Sequence, residues 1–120
     1  MKTYSFEKLD VWNKSRSLAV FTYELTKTFP RDEIFGIVSQ MRRAAISVCS
    51  NLAEGNSKYS GKEKARYTET CYCSLMELLN QGLISVDLTY MNNESLSQLR
   101  AYVDDVALLL TQLRKAQLGL

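Results

Sequence analysis

IFGIVSQMRRAAISVCSNLAEG, residues 34–55, decides the fold. Its apolar positions Ile34, Val38, Met41, Ala45, Val48 and Leu52 follow one another at intervals of 4, 3, 4, 3 and 4. That is the seven-residue alternation by which one helix packs on another; a strand would repeat every second residue. Gly55 stands where a left-handed cap could end the run, which predicts a helix over 33–54. A second set, Gln40, Arg43, Ala44, Ser47, Asn51 and Glu54, lies roughly 120° around the same helix and is small or polar.

On the N-terminal side, Trp12, Ser15, Ala19, Thr22, Leu25 and Phe29 keep helical spacing, and Leu18 widens the stripe. Pro30 drives its predecessor out of the helical region, so this helix is expected over 9–29. On the C-terminal side, NSKYSG (56–61) reads as a loop. Ser60 and Glu63 then match a capping box, the serine covering a free backbone N–H and the glutamate reaching back. They open a helix over 61–90 with the stripe Thr68, Tyr72, Leu75, Leu79, Gly82 and Val86, flanked by Cys71, Leu78 and Leu83. Gly82 gives up roughly 1 kcal/mol of helix propensity against alanine, which a close helix crossing or a local bend would explain.

MNNE (91–94) makes the last turn, with Asn93 as the expected cap. Leu96, Leu99, Val103, Val106, Leu110 and Leu113 follow at 3, 4, 3, 4 and 3 along a helix over 94–117. Nothing alternates like a strand for long. The expected fold is all-α, an antiparallel up-and-down four-helix bundle forming one domain over 1–120.

The polar set on the second helix admits three readings: a solvated face, a subunit or helix contact in which Ala44 and Ser47 permit close approach, or a direct nucleic-acid or small-ligand contact. Charge offers one pointer. Fifteen basic and thirteen acidic residues nearly cancel, but residues 38–70 hold six basic against three acidic ones. Arg42, Arg43, Lys58, Lys62, Lys64 and Arg66 are expected in or near the turn between the second and third helices, with Tyr59 and Tyr67 among them. Aromatic rings between cations suit nucleic acid.

Catalytic chemistry has no foothold. There is no histidine, which removes the commonest neutral-pH acid–base group and the usual zinc and di-iron ligand sets. Cys71 and Cys73 lie about 200° apart around a helix and read as small core residues; Cys49 lacks an activating partner. Glu54, Glu69 and Glu77 have no spacing that enforces a carboxylate site, and no phosphate-binding glycine loop is present. No enzyme activity, metal, cofactor or small-molecule substrate is expected. The polar start MKTYSFEKLDVW and the lack of an eighteen-residue apolar run give an expectation of cytoplasmic residence away from membranes.

FEKLDVW (6–12), ELTKTFPRDE (24–33) and SQMRRAAISVCSNLAEG (39–55) resemble the proteins encoded in intervening sequences of bacterial 23S ribosomal RNA genes. Gln40, Arg42, Arg43, Ser47, Asn51, Glu54 and Gly55 match that family's second-helix pattern, and Phe6, Leu9 and Trp12 its first. Cys49 stands where the family usually has proline. The resemblance implies a small four-helix bundle able to assemble as a homo-oligomer, a pentameric ring or barrel. It also implies kinship with the accessory proteins of diversity-generating retroelements, which bind nucleic acid and a reverse transcriptase. The expected function is a non-catalytic oligomeric scaffold that contacts RNA or an RNA-handling protein. The alternative is a protein-interaction module with no nucleic-acid role.

Overall fold

The second long helix starts later than its apolar spacing suggests. In the computed structural model, which describes residues 1–120, α1 spans Asp10–Thr26, α2 Ile37–Asn56, α3 Gly61–Asp87 and α4 Asn93–Leu118. Short 3-10 turns occupy Ser5–Lys8 and Arg31–Glu33, and there is no strand. Ile34 closes the second turn and Gly36 is the residue before α2, so Ile34 leaves the stripe and stands 51% exposed.

Alpha1 stops at Thr26, earlier than Pro30 requires. The N–H groups of Lys27, Thr28 and Phe29 bond to carbonyls three residues back, tightening the chain before the proline. Phe29 is still buried, its ring 5.7 Å from that of Tyr90. At the start of α3, Ser60 Oγ accepts from Glu63 N–H at 3.1 Å, the serine half of the expected cap. Asn92, not Asn93, caps α4: its side-chain oxygen accepts from Ser95 N–H at 2.8 Å.

Each helix packs on two neighbours, α1 and α3 both lying against α2 and α4, as the helices of a bundle do. Met41, Ala45, Val48 and Leu52 of α2 meet Leu99, Val103, Val106 and Leu110 of α4 and Leu75 and Leu78 of α3 in one buried cluster. These are the stripes read from spacing. Alpha3 is rotated from its expected register. Tyr72 and Leu83 face outward, whereas Ala65, Ser74, Gln81 and Ser85 are buried. In α1, Val11 is buried where Trp12 was expected, and Trp12 packs edge-on against Phe6 at 5.0 Å.

Two glycines mark close approaches. Gly55 lies inside the last turn of α2, not at a left-handed cap, and is buried. A Cβ there would collide with Cβ of Tyr67 on α3. Gly82 admits the Leu99 side chain of α4, a close crossing being one of the two explanations its sequence position leaves open.

Candidate functional site

The polar face of α2 is a seam within the chain. Ala44 is buried, and Ser47 Oγ shares a hydrogen bond with Ser74 Oγ of α3 at 2.8 Å. Asn51 Nδ2 donates to both the carbonyl and the hydroxyl of Ser47, at 2.9 and 3.0 Å. Because Ser47 Oγ accepts from Asn51, its own proton is free for Ser74. Small side chains allow the two helices to approach, and the hydroxyl pair is satisfied where they meet. Gln40 and Glu54 stand exposed along this face, and Gln40 and Arg43 border a shallow groove with Glu77. Of the three readings of this face, a helix contact describes its buried centre.

The six basic residues do not form one cluster. At 1.5 Å per residue, Arg42 and Arg43 sit about 20 Å up α2 from the turn that carries Lys58. Arg42 is also engaged: its Nε donates to Thr26 Oγ1 at 2.9 Å, and its guanidinium lies 4.6 Å from the Tyr23 ring centre. It braces α2 against the end of α1. Arg43 is exposed.

Lys58, Lys62, Lys64 and Arg66 do gather around the α2–α3 turn and the first turns of α3. None has a carboxylate at ion-pairing distance; the three ion pairs are Lys14–Asp105, Lys27–Glu24 and Arg114–Glu69. Lys58 leans over the Tyr67 ring at 5.4 Å. Lys62 and Arg66 are exposed one turn apart, and Tyr59 projects fully into solvent.

Alpha4 adds a cation that spacing along the chain could not reveal. Thr68 Oγ1 donates to Gln117 Oε1 at 2.7 Å, which brings the end of α4 beside the start of α3. Lys115 therefore borders the groove formed by Thr68, Glu69 and Tyr72. Glu69, the nearby acid, is held by Arg114 Nε at 2.7 Å.

At the other end, apolar side chains face water. Phe35 is 94% exposed, and with Tyr23, Ile34 and Ile46 it borders a groove whose polar members are Ser39, Arg42, Arg43 and Ser47. Ile34 and Phe35 belong to the link before α2, where their apolar character looks like the start of the helical stripe. Only the displaced helix start reveals that they are surface.

The family model of the 23S rRNA-intervening sequence protein matches residues 7–112, from the first turn into α4. The chain belongs to that family. No curated protein matches it. Members are small helical proteins with no known catalytic activity, and no helix of this chain is long and apolar enough to cross a membrane. Cys49 lies inside a continuous α2.

Burial pushes the Cys49 thiol up to about 11, against the attraction of Arg16. Burial, then repulsion from Cys49, pushes Cys71 up to about 12. Both shifts suppress the thiolate that a nucleophile or metal ligand requires. Cys71 is a core residue whose Sγ donates to Val48 O at 3.4 Å, whereas Cys73 is exposed and not the core residue its helix position suggested.

Proposed function

We propose that this family member is a non-catalytic helical scaffold that self-associates and presents a basic surface near the α2–α3 turn to RNA or an RNA-handling protein. The unit is one domain over 1–120, folded as an antiparallel up-and-down bundle. Cross-helix pairs support that topology: Lys14 with Asp105 and Phe21 with Tyr102 between α1 and α4, Ser47 with Ser74 and Met41 with Ser85 between α2 and α3.

The observation that carries the reading is Phe35, an almost fully exposed ring beside Ile34 and Ile46. A contiguous apolar patch of this kind is stabilised by covering it, and a further copy of the chain is the occupant proposed here. A closed ring, a pentamer by the family resemblance, would also repeat the unpaired cations of Lys62, Lys64 and Arg66 around one rim. Three free thiols suit a reducing compartment, the cytoplasm.

Light scattering on the purified protein tests the assembly: a mass several times 13.7 kDa is expected, and a single-chain mass sinks it. RNA binding should weaken steeply with salt. A protein-interaction module without nucleic acid is the second reading. It is favoured by Arg42 and Lys58, whose charges already rest on Tyr23 and Tyr67.

A further inference from the structure

Tyr59 is the third residue of the short α2–α3 turn and is fully exposed, with no hydrogen-bond partner for its hydroxyl. Neighbouring Tyr67 is half-buried, packed against Gly55 and covered by Lys58. Two tyrosines eight residues apart are therefore treated differently. One completes the α2–α3 contact and one has no role in the fold.

The cations divide in the same way. Lys58 is spent on the Tyr67 face, while Lys62 and Arg66 project outward from the first turns of α3, about 6 Å apart and without acidic partners. A free aromatic face at a turn, followed by two free cations on one helical stripe, offers one base a stacking surface and successive phosphates two charges. An intact duplex cannot use the ring, because its bases are already stacked inside the helix; an unpaired strand can.

We infer that the basic end of the bundle binds single-stranded RNA, with Tyr59 stacking on an unpaired base and Lys62 and Arg66 holding the flanking phosphates. This rests on the RNA reading above and narrows its ligand from RNA in general to unpaired strands.

The test measures the intact protein against a short oligoadenylate, alone and annealed to its oligouridylate complement, over a salt series. Tighter binding of the single strand is expected. Tyr59→Ala should weaken it about tenfold with an unchanged salt slope, and Tyr59→Phe should retain it. Lys62→Glu with Arg66→Glu should reduce both affinity and slope. Equal affinity for strand and duplex, or no effect of Tyr59→Ala, overturns the stacking inference while leaving a basic RNA surface standing. Absence of binding to either RNA at low salt overturns both. Capture of a protein partner that depends on Tyr59, with no RNA bound, assigns the ring to protein contact and likewise overturns the inference.

Discussion

Arg42 shows how far position along a chain can mislead about a charge. Beside Arg43 it reads as half of a basic pair, yet its guanidinium bonds to Thr26 and covers Tyr23. Arg42→Ala should lower stability by about 1–2 kcal/mol, through the hydrogen bonds to Thr26 and to the Tyr23 carbonyl and one cation–π contact, measured by urea unfolding. It should leave the salt dependence of RNA binding unchanged, in contrast to Lys62→Glu. The thiols give a second residue-scale expectation. Folding raises Cys49 and Cys71 from 9.0 to about 11 and about 12, so above pH 9 the unfolded chain releases protons that the folded chain retains. Their contribution is full below pH 9 and is lost as pH rises toward 12. Stability should fall across that window, and Cys49→Ala with Cys71→Ala should flatten the fall. At pH 8 an alkylating reagent should label Cys73 before either of the others.

Among the elements, α2 and α4 were legible because their buried residues are nearly all apolar, so hydropathy and burial share one period. Alpha3 was legible only in part: Thr68, Leu75 and Gly82 of its stripe are buried, but so are the polar Ser74, Gln81 and Ser85, which hydropathy does not mark as inward. Ser85 Oγ donates to Gln81 O at 2.7 Å and Ser74 meets Ser47, so burying them leaves those hydroxyls satisfied. The exposed Tyr72 stood in the apparent stripe and the exposed Leu83 at its flank. Helix ends were less legible still: Ile34 and Phe35 continue the apolar pattern of α2 beyond its backbone, and nothing local distinguishes Asn92 from Asn93 as a cap. The basic end was legible from Lys58 to Arg66, but Lys115 comes from a helix half the chain away. Gly55 provides an element-scale test. Alanine at a free helix site would gain roughly 1 kcal/mol over glycine, but here its Cβ meets the backbone-anchored Cβ of Tyr67. Gly55→Ala should therefore cost a net 1–2 kcal/mol, roughly, because α2 and α3 must separate. A stabilised variant in urea unfolding would contradict that packing.

For the whole molecule, the two ends carry different surfaces. Phe35 and its apolar neighbours lie near the α1–α2 link, and the unpaired cations lie around the α2–α3 turn. Assembly and RNA contact should consequently be separable. Phe35→Asp should reduce the solution mass to that of a single chain while leaving the helical circular dichroism unchanged, since that ring packs on nothing in the core. An unchanged oligomeric mass would place the subunit contact elsewhere.

The buried hydroxyls bear on how such a bundle is made. Thr22 donates to Leu18 O, Thr26 to Thr22 O and Ser85 to Gln81 O, each within its own helix and four residues back. Each acquires its partner as soon as its own turn forms, before any second helix arrives. Docking therefore removes these three from water already bonded, whereas Ser74 meets its partner Ser47 only when α2 and α3 come together. Kinetically, the helices can collapse in more than one order without passing through a state in which those three hydroxyls are stranded.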